Sequence, residues 1–257
     1  MSKKPLILVS NDDGIESLGI YTLAIELRKF ADVVVAAPHT QQSAVGHSIT
    51  VSDPLRAVEI FKNNKFFGFA IQGTPADSVK LAISTLLGKR KPDLCVSGIN
   101  HGSNTAVNLL YSGTVSAASE AAIMGIPAMA VSLDSFTSMD FQPAARFAGK
   151  AAKMILKNGL PKGRVLNVNV PALIEKDIKG VLITRQGKSN WEEKYEPRLD
   201  PNKKTYYWLK GKHVLSDKTL DIDHKALTEG YISVTPIQYD LTDYKMLDEL
   251  ESWNFKK

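Results

Sequence analysis

The sequence predicts an α/β protein: a mostly parallel sheet flanked by helices, followed by a C-terminal segment that protrudes from it. Three observations predict this. Leu6-Ile7-Leu8-Val9-Ser10 is a short apolar run suited to a strand buried on both faces. Ile20, Leu23, Ala24 and Leu27 then recur at helical spacing, giving one apolar face up to about Phe30. Asp32 next opens the β-branched run Val33-Val34-Val35-Ala36-Ala37-Pro38, ended by proline. Strand, helix and strand within about forty residues make a βαβ unit, whose strands run parallel.

Length and composition fit that class. A chain of 257 residues, 44% apolar and 23% charged, holds one large domain or a domain with an appendage, with a sizeable core. Lys and Arg number 32 against 27 Asp and Glu, a net charge of +5, in small clusters at Lys3-Lys4, Lys89-Arg90-Lys91, Lys203-Lys204 and Lys256-Lys257. No long basic run interleaves with aromatics, so the expected partners do not include a nucleic-acid polymer, while a mild positive balance helps attract small anions. The one cysteine, Cys95, rules out an intrachain disulfide and fits a reducing compartment. It lies in an apolar run, as core filler does. The apolar run after Lys3-Lys4 is too short for a signal peptide and no stretch approaches a membrane span, so the expected location is the cytoplasm, away from membrane.

The first strand stops on Asn11-Asp12-Asp13-Gly14. Adjacent carboxylates repel, and burying both near a strand end calls for a cation; a hard divalent metal, whose ligands are oxygens, suits them. A polar turn with an aspartate capping the next helix fits the same residues. The second strand runs into His39-Thr40-Gln41-Gln42-Ser43-Ala44-Val45-Gly46-His47-Ser48, at the edge where open α/β sheets bind ligands. Its two histidines have no cysteine or third histidine beside them, and its hydroxyls and amides suit a hard metal or phosphate better than zinc. In isolation the segment also reads as a solvated loop.

Residues 51 to 71 read as extended structure with a turn near Lys62-Asn63-Asn64. Thr74-Pro75-Ala76-Asp77 is a helix start with a threonine cap, a first-turn proline and an acid three residues on; the helix runs by Val79, Leu81, Ala82, Ile83 and Leu86 to Gly88. Pro92 to Ser97 is a third core strand, ending in Gly98-Ile99-Asn100-His101-Gly102-Ser103-Asn104, where glycines permit close approach and amides can hold a cation or phosphate. Ser112-Gly113-Thr114-Val115 opens a small-residue helix that ends at Gly125; its N-terminus is an anion site or an ordinary cap. Inside it, Glu120 reads as a buried orienting group or a surface charge.

Ile126 to Leu133 is a fourth strand, Ala144 to Lys157 an amphipathic helix, and Val165-Leu166-Asn167-Val168-Asn169-Val170-Pro171 and Val181 to Thr184 further strands. Pattern weakens from about Gln186 to Glu229. Trp191, Tyr195, Tyr206, Tyr207 and Trp208 there suit burial in a partner subunit, and Tyr206 to Leu209 with Gly211 suggests a hairpin turning at the glycine. Tyr231 to Ile237 is a final strand and Tyr244 to Trp253 a terminal helix that could dock on a neighbouring chain.

Several familiar sites fail on spacing. No G-x-G-x-x-G follows the first strand, and Gly187-Lys188-Ser189 lacks the earlier P-loop glycine, whose position is Leu182. A haloacid-dehalogenase-like phosphatase needs two aspartates separated by one residue after the first strand, whereas Asp12 and Asp13 are adjacent, and no G-x-S-x-G elbow is present.

What remains, in order, is Val9 to Gly14, Ser43 after the second strand, Gln72-Gly73-Thr74-Pro75-Ala76-Asp77, Ser97 to Asn104, Tyr111-Ser112-Gly113-Thr114-Val115 and Gly230-Tyr231-Ile232-Ser233-Val234-Thr235-Pro236. In this the chain resembles the SurE family, the "survival protein" nucleotidases, over most of its length. The resemblance implies a metal-dependent phosphomonoesterase acting on nucleoside 5′-monophosphates, with 3′-monophosphates and short polyphosphate as further substrates. It places one divalent ion per subunit, magnesium or manganese, on Asp12, Asp13, Ser43 and Asn100, and makes Asp12 and Asp13 the catalytic pair. It puts Asn11, Asn104, Ser112, Gly113 and Thr114 on the substrate and phosphate side. It implies a Rossmann-like catalytic core over 1–185. Residues 186–257 then form the protruding segment, with a returning strand at about 231–237 and a C-terminal helix. The resemblance further implies that this segment is exchanged between subunits of a homodimer or tetramer.

Two routes are open to this residue set: attack by water with one aspartate as proton acceptor, or covalent attack by an aspartate. Ala44 and the flanking His39 and His47 bear on substrate preference, and His47, His101 and His224 read as surface or supporting groups. A non-catalytic nucleotide or phosphate sensor is the alternative at the same edge, although a pure binder gains little from two acids beside a phosphate. A glycosyltransferase-like enzyme would need a larger donor pocket.

Overall fold

Apolar runs buried on both faces must lie inside a sheet, and the computed structural model, which describes residues 4–215, 219–253 and 255, places them there. Lys3, the Lys256-Lys257 pair and the side chain of Trp191 lie outside the described residues. In chain order come β1 (Leu6–Ser10), α1 (Leu18–Arg28), β2 (Asp32–Pro38), β3 (Ala57–Lys62), β4 (Lys65–Ile71) and α2 (Pro75–Leu81). There follow β5 (Leu94–His101), α3 (Asn108–Tyr111), α4 (Gly113–Ile123), β6 (Ala128–Asp134), α5 (Gln142–Asn158) and β7 (Arg164–Pro171). The chain ends with β8 (Val181–Ile183), β9 (Ser189–Leu199), β10 (Thr205–Leu215), α6 (Asp223–Thr228), β11 (Ile232–Gln238) and α7 (Tyr244–Ser252).

Nine strands form one sheet in the order β3-β4-β2-β1-β5-β6-β7-β11-β8. From β4 to β7 all neighbours are parallel; β3 is antiparallel to β4, and β11 is antiparallel to β7 and parallel to β8. Successive side chains of a strand point to opposite faces. Ile7 and Val9 of β1 accordingly join the core with α1 and α5, while Leu8 joins the one with α2 and α4. Gly19 lets α1 lie directly on β5, since a Cβ there would stand 2.2 Å from the Ile99 carbonyl oxygen. Cys95 is buried and its thiol is pushed up to about 12 by that burial, as suits core filler.

Four details differ from the sequence reading. Strand β3 starts at Ala57 rather than Val51, and its turn uses Asn63 and Asn64 at φ 51° and 59°, the left-handed pair a tight hairpin needs. The capping box of α2 forms as expected, but after Leu81 the helix widens into a π turn over Ala82–Leu86. The β9–β10 hairpin turns at Asp200–Lys204, not at Gly211, which sits within β10 opposite Glu193. There Asp200 Oδ1 accepts from the N–H groups of Asn202 and Lys204 at 2.8 Å each, and Lys203 takes φ 63°, so the Asp-Pro-Asn chemistry decides the turn. Finally, α6 fills part of the stretch where no pattern was legible. Among the described residues no helix is long and apolar enough to cross a membrane.

Candidate active site

The site is assembled where β1, β2 and β5 end and α4 begins. After β1 the chain must reverse, and Asn11 closes that turn: fully buried, it donates from Nδ2 to the Gly14 carbonyl at 2.9 Å and to Ser17 Oγ at 2.8 Å. Gly14 takes φ 90° there. The carbonyl of Asp12 accepts from Gln42 N–H at 2.7 Å, tying β1 to the loop that carries Ser43.

Asp12 is 5% exposed, and its Oδ1 accepts a short hydrogen bond from Thr114 Oγ1 of α4. Gly113 makes that approach feasible, because a Cβ there would stand 2.7 Å from Asp12 Cβ and 3.0 Å from its Oδ2. Burial pushes the Asp12 carboxyl up to about 6; the Thr114 hydrogen bond opposes this and the neighbouring Asp13 adds to it. Asp13 is also raised by burial, against the His101 N–H that reaches its Oδ2 at 3.2 Å. Two adjacent acids pushed toward protonation are the electrostatic condition that a cation relieves.

Around this pair the donors are neutral oxygens. Gln41 Nε2 donates to Ser43 Oγ at 2.9 Å and approaches Asp13 Oδ1 at 3.4 Å. Asn100 commits its Nδ2 to the Gly102 carbonyl at 2.7 Å, leaving the amide oxygen for the site. Among the described residues no group of three or more His, Cys, Asp or Glu side chains is arranged to hold a metal ion; the oxygens gathered here are those of two acids and of neutral side chains.

Asn104 and Ser112 form the other wall. Asn104 donates from Nδ2 to Ser132 Oγ at 2.9 Å, and its backbone is held by β7: its N–H reaches Asn169 Oδ1 at 2.8 Å, and its carbonyl accepts from Asn167 and Asn169 at 2.8 and 3.1 Å. Ser112 caps α4 by accepting from Val115 N–H at 3.1 Å. A cavity of about 580 Å³ opens between these elements, lined by Asp12, Ser43, Asn100, Asn104 and Ser112. Tyr111, Phe136 and, from β10, Leu209, Lys210 and Gly211 also line it. Of the residues singled out from sequence, Asn11, Asp13, Gly113 and Thr114 are not among those lining it, and stand behind or beside Asp12 instead.

His101 lines the cavity, while His47 and His224 lie outside it. His101 has Nε2 2.9 Å from the Ser138 carbonyl and its ring 4.6 Å from that of Phe141. His47 has Nε2 2.9 Å from Oε2 of Glu120, which is buried and also accepts from Lys80 at 2.6 Å. The His47 hydrogen bond is the main reason the Glu120 carboxyl lies below its ordinary range. His224 is buried beside Asp223. Sequence reasoning missed Ser132, Asn167, Asn169, Tyr111, Phe136 and Lys210; for β7 the signal was there, in asparagines alternating with valines along a buried strand.

The family model "Survival protein SurE" matches residues 7–193. A protein named 5′-nucleotidase SurE from Christiangramia forsetii is 51% identical over 255 residues, covering 98% of each chain. One of the same name from Syntrophobacter fumaroxidans is 51% identical over 248 residues, 96% of this chain and 99% of that one. The crystal structure of the SurE protein from Aquifex aeolicus superposes with a TM-score of 0.85 at 38% identity, over 97% of this chain and 100% of that one. With a family match over most of its length and relatives alike from end to end, the chain belongs to the SurE family.

Proposed function

We propose that the protein is a metal-dependent nucleotidase that hydrolyses nucleoside 5′-monophosphates to nucleoside and phosphate, with 3′-monophosphates and short polyphosphate as further substrates. The family supports the reaction class, and the observation that carries the reading to this chain is the cavity. It joins a buried acid raised by burial, neutral oxygen donors, a helix N-terminus and two aromatic rings in a space of about 580 Å³, which suits a nucleotide.

The donor set fits a hard divalent ion: the carboxyls of Asp12 and Asp13, the Ser43 hydroxyl and the Asn100 amide oxygen offer oxygen alone, with neither sulfur nor imidazole. Magnesium or manganese, one per subunit, is the assignment. When bound, the ion supplies Lewis-acid charge for the phosphoryl oxygens and the attacking water. Asp12 lines the cavity and Asp13 does not, so Asp12 is the acid placed to take the proton of that water, while Asp13 ties the end of β1 to β5. Asn104, the Ser112 hydroxyl and the first amides of α4 offset charge that grows on the phosphoryl oxygens as the ester bond breaks. Thr114 orients Asp12 from behind. Tyr111 and Phe136, both exposed, offer faces on which a base of any identity can stack.

The hairpin and α7 carry Tyr207, Trp208, Tyr244, Leu247 and Trp253 on their exposed surfaces. Such aromatic-rich surface supports a homodimer or tetramer assembled through this segment, by exchange between subunits. It also supports treating 186–257 as an oligomerisation segment on a core of 1–185, with β11 returned to the sheet.

The test of the reaction is phosphate release from a panel of 5′- and 3′-nucleotides and short polyphosphate, with magnesium or with manganese. Fastest release from 5′-monophosphates is the expected result. Binding of nucleotides without release under either metal would overturn the enzyme reading and leave a sensor.

A further inference from the structure

We propose that Asp223 is a positioning residue for the phosphate-side loop, and that it couples this loop to the root of the β9–β10 hairpin. Asp223 is 0% exposed and stands at the start of α6, more than a hundred residues along the chain from the loop it holds. Its Oδ2 accepts from Ala106 N–H at 2.8 Å, and its Oδ1 accepts from Gly187 N–H at 3.1 Å and His224 N–H at 2.8 Å; His224 Nδ1 lies 3.4 Å from the same oxygen.

What it holds is strained. Ala106 takes φ 50°, a left-handed conformation that a residue with a Cβ disfavours, and it is fully buried. Its carbonyl is gripped as well, by Gln186 Nε2 at 2.8 Å. Both groups of Ala106 are thus bound by the segment that flanks the hairpin, and Ala106 follows Asn104 by two residues. Asn104 lines the cavity, and its own backbone is pinned on the other side by Asn167 and Asn169. The loop is therefore clamped between β7 and the hairpin root.

The root itself has no slack. A Cβ on Gly187 would meet His224 Nδ1 at 2.6 Å and Ile222 Cγ2 at 2.7 Å. From there the chain enters β9 and returns as β10, whose Leu209, Lys210 and Gly211 line the same cavity as Asn104. One carboxyl thus fixes two walls of the site relative to each other. A side chain that fixes geometry without touching substrate acts through the residue it holds, and misplacing a catalytic group by a fraction of its reach is enough to slow a reaction strongly.

The experiment compares wild type, Asp223→Asn, Ala106→Gly and the double variant by amide hydrogen exchange over residues 102–107 and by kcat and KM for phosphate release. The activity arm rests on the nucleotidase reading; the exchange arm does not. Asparagine offers only one acceptor where Asp223 offers two, so Asp223→Asn should speed exchange over 102–107 and lower kcat by about ten- to a hundredfold, with KM changed less. Glycine adopts φ 50° unaided. Adding Ala106→Gly should therefore restore part of kcat and slow exchange, a rescue that a merely structural carboxyl would not show. Should Asp223→Asn fail to fold, Gln186→Met carries the same test through the Ala106 carbonyl, with faster exchange over 102–107 expected. Exchange over 102–107 unchanged from wild type in the folded variant, or a double variant no better than Asp223→Asn, overturns the proposal. Absence of phosphate release in wild type defeats the nucleotidase reading alone, since exchange still decides this one.

Discussion

Asp12 sits at the meeting of three constraints, and each gives a measurable consequence. Burial raises its carboxyl from 3.8 to about 6 in the cation-free chain. The sign follows: a carboxyl raised on folding contributes stability fully present below pH 3.8, and that contribution is lost as pH rises through about 6. Relative to Asp12→Asn, the cation-free wild type should therefore lose stability between pH 4 and pH 7, by up to about 3 kcal/mol. Melting curves of the two proteins in chelator at both pH values check this, and added manganese should restore wild type selectively at pH 7. Thr114 answers a different question, because it touches Asp12 and not the cavity. Thr114→Val keeps the shape and removes the hydroxyl; kcat should fall about ten- to a hundredfold while Tm moves little. Gly113→Ala pushes a methyl into Asp12 and should cost about 1–3 kcal/mol in a chemical melt and most of the activity.

At the scale of elements, the candidate site depends on how a loop without regular structure is fastened. Residues 39–50 carry Ser43, and their far end is tied to α2 and α4. Thr74 Oγ1 donates to the Ser48 carbonyl at 2.7 Å, Asp77 accepts from Thr50 N–H and Oγ1 at 2.9 and 2.6 Å, and Glu120 holds His47. Burial works to raise Asp77, but the Thr50 and Thr74 hydrogen bonds outweigh it and set the carboxyl below its ordinary range. Thr74→Ala removes the helix cap and the Ser48 tie together. It should cost about 1 kcal/mol in a urea melt and raise KM for manganese more than it lowers kcat.

Much of this scale was legible in the sequence, because strand ends, caps and turns are written in local chemistry. Asn-Asp-Asp-Gly after a buried run forms a turn, although Ser17 and not an aspartate stands at the N-cap of α1, and Thr-Pro-Ala-Asp forms the capped helix start expected. The loop ties were not legible, since Thr50 and Asp77, or His47 and Glu120, are joined by tertiary approach. The hairpin turns at Asp200-Pro201-Asn202 and not at Gly211 because the Asp200 carboxylate and the backbone make the turn themselves, whereas a glycine permits a turn without requiring one. Asp223 carried no signal at all: its three N–H partners come from elements distant in sequence or from its own helix start.

For the molecule as a whole, the sheet order explains why the C-terminal segment belongs to the site. Strand β11 is inserted between β7 and β8, so the chain must leave the sheet after β8, form the hairpin and come back. That excursion passes over the cavity and presents Tyr207 and Trp208 outward. For the oligomer proposed above, replacing both with glutamate should shift the mass measured by light scattering toward the monomer, with the sheet's circular dichroism retained; an unchanged mass would contradict assembly through this segment.

In the proposed reaction, Asp12 and its oxygen-donor neighbours hold the cation that serves hydrolysis. The most direct measurement is phosphate release from a nucleoside 5′-monophosphate by wild type and Asp12→Asn, each in manganese and in chelator. Release by wild type in manganese alone, lowered on the order of a hundredfold or more by Asp12→Asn, is predicted. Undiminished release in chelator, or by Asp12→Asn in manganese, would contradict it.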